Sequence, residues 1–193
     1  MHVLSTALLV IDVQQGLGHP KFGQRNNPDA EQRMAALLTY WRAQGGLVVH
    51  VQHASTSPDS PLRPDLPGFT FKPEVQPRAG EAVFTKRVNS AFIGTDLEGH
   101  LRSAGTDAVV VIGLTTDHCV SSSARMASDL GFTTYVVSDA TATFERTDHT
   151  GRHYPAEEVH AISLLNLHNE FATILSTTQI LAAASAVDYA SAM

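Results

Sequence analysis

Cysteine, tryptophan and positive charge are all scarce in this chain: one Cys, one Trp and thirteen Lys and Arg residues in 193. A single cysteine excludes an internal disulfide and is compatible with a reducing compartment. No apolar run reaches the ~18 residues that a membrane span requires. The start, Met1-His2-Val3, leads into an apolar stretch that already carries Asp12. It has no basic leader and no small-residue cleavage site, so no signal peptide and a cytoplasmic location are expected. The formal charge of -6 and the scattered cations argue against nucleic acid or another polyanion as partner. Internal repeats and low-complexity tracts are also missing. What remains is an ordinary globular composition, 43% hydrophobic and 17% charged. The length suits a single domain over residues 1–193, able to bury about 70% of its unfolded surface.

The apolar runs then alternate in kind. Thr6 to Val13 reads as a buried strand with a carboxylate, Asp12, near its end. After a turn-rich segment, an Asn27 cap and Pro28 open a helix in which Met34, Leu37, Leu38 and Trp41 keep one face; Gly45-Gly46 stops it. Leu47 to Val51 is a second strand. Six of the nine prolines, from Pro58 to Pro77, then fall between His53 and Gly80, where neither helix nor central strand can persist. A structureless segment of that length inside a domain reads as a functional loop or lid. Ala82 to Lys86 is a short third strand. Thr95 to Glu98 has a capping-box pattern before a short helix ended by Gly105. Asp107 to Gly113 is a fourth strand, Phe132 to Val137 a fifth, and Ser138 to Tyr154 a second irregular loop. Pro155 opens a helix to about Glu170, Phe171 to Leu175 is a sixth strand, and the Ala-rich tail reads as one helix with a frayed end. Strands alternating with helices call for an α/β fold, a parallel sheet covered on both faces.

The lone cysteine sits in Gly113-Leu-Thr-Thr-Asp-His-Cys119-Val120, at a strand-to-helix junction. Amides and the positive dipole end at a helix start favour a thiolate. The competing reading is a small buried hydrophobe, and position alone leaves the two even. Asp12, Lys86 and Cys119 nevertheless share one property: each lies at or just past the carboxyl end of a strand, the edge at which open α/β sheets bind ligands. A cysteine nucleophile needs a base and oxyanion donors. Asp12, partly desolvated, could be the base, with Lys86 balancing the charge. Amides between Thr115 and Cys119 could hold an oxyanion. Taken singly, Asp12 and Lys86 read as solvated loop residues; only the shared edge raises them together.

Val10-Ile-Asp12-Val-Gln14, Lys86-Arg-Val-Asn-Ser-Ala-Phe92 and Gly113-Leu-Thr-Thr-Asp-His-Cys119-Val together resemble the isochorismatase-like cysteine hydrolase superfamily, in its motif order, from about Thr6 to Leu175. The resemblance implies a three-layer α/β/α sandwich with a six-stranded parallel sheet. It implies an Asp12-Lys86-Cys119 triad and a non-proline cis peptide at Leu114-Thr115, which sets the Thr115 amide beside that of Cys119 as an oxyanion hole. It also implies a homo-oligomer, dimer or tetramer. Motif position makes Asn89, Ser90 and Phe92 candidate pocket residues, with Gln14, His118 and Phe144; core packing is the equal alternative for Phe92.

Two departures narrow the activity. Nicotinamidases of this superfamily carry an Asp-x-His metal site after the second strand, where this chain has His53-Ala-Ser55 and no further histidine before His100. No metal and no cofactor are therefore expected. Members that hydrolyse the vinyl ether of isochorismate often lack the cysteine, so Cys119 favours a small amide, carbamoyl or ureido substrate. Ether hydrolysis with Cys119 idle, and a non-catalytic binding protein, are the rivals. Most of the ten histidines read as surface or loop residues, with no convergent zinc set. His118 could line the pocket.

Overall fold

β-branched runs that are apolar on both sides become the centre of one sheet. A computed structural model describes residues 1–191 of the chain. The six strands of the main sheet are β1 (Thr6–Ile11), β2 (Val48–His53), β3 (Ala82–Lys86), β4 (Ala108–Leu114), β5 (Thr133–Ala142) and, after a small hairpin, β8 (Thr173–Leu175). They form a parallel sheet in the order β3-β2-β1-β4-β5-β8. Every residue of β1 is buried, as a strand covered on both faces demands. Alternation divides them: Leu8 and Val10 enter one core, Ala7, Leu9 and Ile11 the other.

Helices fill the two outer layers. On the Leu8 side lie α1 (Ala30–Ala43), through Met34, Leu37, Leu38 and Trp41, and α5 (Thr177–Ser191), through Ile180 and Ala184. The indole of Trp41 donates to the Thr6 carbonyl at 3.0 Å, tying α1 to β1. On the Ile11 side lie α2 (Leu97–Ser103), α3 (Ser121–Asp129) and α4 (Ala156–Leu165), through Leu97, Leu101, Ala124, Ala127 and Leu164. This is the α/β/α sandwich with a six-stranded parallel sheet expected from the sequence.

The differences are local and have reasons. The segment from Ser138, expected to be irregular, continues β5 to Ala142. A register shift between Val111 and Gly113 lets Thr141 and Ala142 pair with Gly113 and Leu114. The polar Ser138-Asp139 reads as a loop in sequence, yet falls where the strand shifts register. Beyond it, β6 (Arg146–Thr147) and β7 (His153–Tyr154) form an antiparallel hairpin, its turn held by Asp148 accepting from the Thr150 and Arg152 amides. Helix α4 ends at Leu165 rather than near Glu170, because buried Leu167 turns inward and Asn169 takes a left-handed backbone before β8. The expected frayed end concerns residues 192 and 193, outside the described residues.

The proline-rich segment after β2 contains only short 3-10 turns, Pro67–Phe69 and Pro73–Val75. It is pinned rather than loose. Gln14 donates to the Phe69 carbonyl at 2.8 Å and accepts from the His53 amide at 2.8 Å. Glu31 of α1 holds both Arg25 and Lys72, and these bonds outweigh its burial and lower its pKa to about 2.

The chain reverses its direction of strand addition between β1 and β4, the point at which sheets of this kind open a crevice. Gly113 lies opposite Ile11 there, with φ 125°, and a Cβ on it would meet the Ile11 carbonyl oxygen at 2.0 Å. Gly113→Ala is expected to lower unfolding free energy by about 3 kcal/mol, through overpacking plus backbone strain. Gly105→Ala, also at positive φ but with open space for the Cβ, should cost only about 1 kcal/mol. Urea titration of both variants checks the difference.

Candidate active site

Three strand ends and one strand-to-helix turn converge at this reversal. Asp12 follows β1 immediately, and strict alternation would place it on the face opposite Ile11. Its backbone instead adopts φ 52°, a left-handed conformation uncommon outside glycine, which breaks the alternation. Lys86 closes β3, His53 closes β2, and the two are register partners on adjacent strands. The Lys86 ammonium is fully buried. Its Nζ lies 2.6 Å from Asp12 Oδ2, 3.1 Å from His53 Nδ1, 3.1 Å from the Val88 carbonyl and 3.2 Å from Cys119 Sγ. A buried ammonium requires such partners, since an unpaired one is prohibitively costly. Asp12 Oδ1, the other carboxylate oxygen, is buried without a hydrogen-bond partner.

Cys119 lies in a π turn, Thr116–Val120, that precedes α3; the amide of Val120 reaches back to the Thr115 carbonyl at 3.1 Å. The peptide Leu114-Thr115, just upstream, is cis. Ligand atoms of Asp12, His53 and Cys119 all lie within 4.8 Å of one another. A helix start by itself favours a thiolate, and the surroundings of the sulfur oppose that. Burial pushes the thiol up strongly, the Asp12 charge pushes it further, and Lys86 only partly opposes them. Burial also raises Asp12, against the pull of Lys86. The resting sulfur is therefore protonated, beside a carboxylate made more basic than usual. Burial and Lys86 together lower the pKa of His53, which leaves its Nδ1 as an acceptor for the ammonium.

Asp12, His53 and Cys119 are the one group of possible metal-ligating side chains found among the described residues. The centre of that group already holds a cation. All three donors face the Lys86 ammonium at 2.6 to 3.2 Å, and a metal ion there would have to displace it.

A cavity of about 230 Å³ opens over the sulfur. Of the six pocket candidates, Asn89 and His118 line it, Asn89 Oδ1 lying 3.8 Å from Sγ. The other four support it from outside. Gln14 is wholly buried in its clamp on His53 and Phe69. Ser90 accepts from the Phe92 amide. Phe92 packs in the core against Phe132 at 6.3 Å. Phe144 stacks at 5.2 Å behind Phe22, and it is Phe22 that faces the cavity. Leu17, Leu62 and Leu114 add to the apolar wall, and His53, Ser55, Ser60 and Arg146 to the polar wall. His53 could have been found from sequence by the strand-end rule that found Asp12 and Lys86. Arg146 could not, because its hairpin was read as irregular. Most of the ten histidines were expected at the surface or in loops, but His50 and His160 are buried: His50 against Glu81, His160 against Thr116 and Ser138.

The fold recurs in known proteins. The family model "Isochorismatase domain" matches residues 6–179. The chain is 46% identical over 175 residues to the uncharacterised isochorismatase family protein YrdC of Bacillus subtilis, spanning 91% of this chain and 94% of that one. It is 35% identical over 150 residues to the maleamate amidohydrolase of Pseudomonas putida, covering 69% and 70% of the two chains. Among solved structures, an isochorismatase-family hydrolase from Chromobacterium violaceum superposes with a TM-score of 0.90 at 47% identity, covering 93% of each chain. A family model matched over nearly the full length, on a fold with these strand-end residues, establishes that the chain belongs to the isochorismatase family of hydrolases.

Proposed function

We propose that this hydrolase cleaves the C–N bond of a small amide, carbamoyl or ureido compound through a thioester on Cys119. The observation that carries the reading is the divided role of Asp12. One oxygen is fixed on Lys86, while Oδ1 is buried and not held by Lys86, and the carboxylate interacts with the neighbouring Cys119 thiol. A carboxylate raised by burial is a competent base for a thiol, and the short path keeps charge separation small.

In the first half-reaction Asp12 Oδ1 takes the thiol proton as Sγ attacks the substrate carbonyl carbon. The carbonyl oxygen becomes an oxyanion, held by the Thr115 and Cys119 amides. As the tetrahedral adduct collapses, the C–N bond breaks and protonated Asp12 gives its proton to the leaving nitrogen. In the second half, Asp12 takes a proton from water, which attacks the thioester; the acid leaves and the proton returns to sulfur. Lys86, fixed to Asp12 and 3.2 Å from Sγ, offsets the negative charge that builds on carboxylate, sulfur and oxygen in turn. No external cofactor enters these steps. The cavity is smaller than the ~300–1,000 Å³ of sites for drug-sized ligands, which suits a small substrate.

Cys119→Ala is expected to reduce ammonia release from a panel of primary amides and carbamoyl compounds by about 10⁴-fold or more. Ammonia release at full rate in that variant would refute the thioester route, and cleavage of a vinyl ether by it would favour the isochorismatase-type reaction, in which sulfur is idle. A second expectation concerns pH. Asp12 acts only when ionised, so kcat/KM should rise as pH climbs through its pKa. Because burial raises that pKa, the acid limb should lie above the ~3.9 of an ordinary aspartate. Asp12→Asn should lower kcat by about 10²- to 10⁴-fold and remove the limb. A pH–rate profile of both proteins tests this.

A further inference from the structure

We infer that His160 is a positioning residue for the reaction: through the Thr116 hydroxyl it fixes the turn that presents the Cys119 sulfur and the Thr115 and Cys119 amides. This rests on the thioester reading and adds to it a residue that touches no reacting atom.

The backbone bonds at the start of the cysteine turn converge on one oxygen. The Val120 amide reaches the Thr115 carbonyl at 3.1 Å, the His118 amide shares it at 3.2 Å, and no side chain caps the start. A single π turn is an uncommon arrangement, and side chains on two flanks hold this one. On one flank Asp117 accepts from the Thr143 hydroxyl and the Arg146 guanidinium. On the other, wholly buried Thr116 has its hydroxyl 2.9 Å from Nδ1 of His160, on α4.

The partners determine what each ring nitrogen does. His160 Nε2 lies 3.0 Å from the Ser138 carbonyl, which can only accept, so Nε2 carries the proton. Nδ1 is then the acceptor, and the Thr116 hydroxyl donates to it. Burial lowers the pKa of the imidazole, against the Ser138 bond and the charges of Asp117 and Glu157, and so keeps it in this neutral form. The Ser138 carbonyl is itself anchored. Asn27 Nδ2 donates to it at 2.8 Å and to the Thr141 carbonyl at 2.7 Å, where β5 shifts its register against β4. His160 thus ties the cysteine turn to a part of β5 that is fixed independently.

The place of the histidine in its helix points to the same use. Ala156 and His160 are the buried residues of α4. An apolar side chain would fill that place without the cost of burying a polar ring, whereas the imidazole engages both nitrogens in joining two segments. Neither Thr116 nor His160 lines the cavity, so loosening the tie should act on kcat rather than on KM.

The test sets two replacements of His160 against each other on the panel of primary amides. Asparagine places its amide at the Nδ1 position and accepts from Thr116; glutamine reaches the Nε2 position and donates to Ser138. Each keeps one of the two bonds, so a purely structural histidine would respond alike to both. His160→Gln should lower kcat by about 30- to 100-fold with KM within about twofold of wild type, the size of effect expected when reacting groups move by about 1 Å. His160→Asn should retain kcat within about threefold. Thr116→Val should match His160→Gln, Thr116→Ser should recover, and the double variant of His160→Gln with Thr116→Val should lose no more than either alone, since both break the same bond. Equal losses in the Asn and Gln variants would overturn the inference, as would additive losses in the double variant or an undiminished kcat in His160→Gln. Alkylation of Cys119 by iodoacetamide reads the turn without turnover. Its rate should rise by about threefold or more in His160→Gln and Thr116→Val, where a loosened turn exposes the sulfur, and stay near that of wild type in His160→Asn and Thr116→Ser. If wild type hydrolyses none of the amides, the thioester reading fails, yet that alkylation pattern still upholds His160 as the residue that holds the turn. Alkylation at the wild-type rate in all four variants overturns it.

Discussion

The buried ammonium of Lys86 is the constraint around which the site is assembled. It takes a carboxylate from the end of β1, an imidazole from the end of β2 and a thiol from the turn after β4. Removing one partner of such a group leaves an uncompensated buried charge, typically costing 3–5 kcal/mol. Sheet register and site geometry are therefore one condition. His53 and Lys86 are paired across β2 and β3, and a one-residue slip would turn either side chain to the other face. The same ammonium fills the centre of the donors that might otherwise gather a metal, so one residue serves as both the structural and the electrostatic cation.

The protonation pattern follows from that burial. A cysteine at a helix start in water-exposed surroundings would lean toward thiolate, and the local dipole here has the right sign. The magnitude decides otherwise. Desolvation and the adjacent Asp12 charge both oppose ionisation of the sulfur, and Lys86 must divide its favourable effect between two anions. A thiol and a basic carboxylate sharing one proton result.

Much of this was legible in the chain itself, and the limits have physical causes. Buried parallel strands announce themselves as β-branched runs, which is why β1 to β4 and their alternating helices could be read with boundaries close to those observed. The strand-end rule located Asp12, Lys86 and Cys119 without contacts. It did not reveal that Asp12 needs a left-handed backbone to face Lys86, because alternation alone puts it on the wrong side. Nor did it separate residues that line the cavity from those behind it. Gln14 and Phe144 lie within motifs or loops that shape the pocket, but their side chains act one layer back, on His53 and on Phe22. The hairpin carrying Arg146 was hidden because polar Ser138-Asp139 reads as a loop, whereas strand pairing after a register shift is a property of the neighbouring strand.

The division of labour in the sheet follows from these same facts. Residues at the carboxyl ends of the central strands face one another at fixed spacing and can sustain the short distances that bond making needs. The two segments that close the cavity, the proline-rich stretch after β2 and the hairpin after β5, hang from the frame by side-chain clamps: Gln14 and Glu31 for one, Asp117 for the other. Their sequences can change without disturbing strand register as long as those clamps persist. The close strand-end geometry thus rests on the sheet and the shape of the cavity on the clamped segments, and Asp117, between the cysteine turn and Arg146, is where the two are mechanically joined.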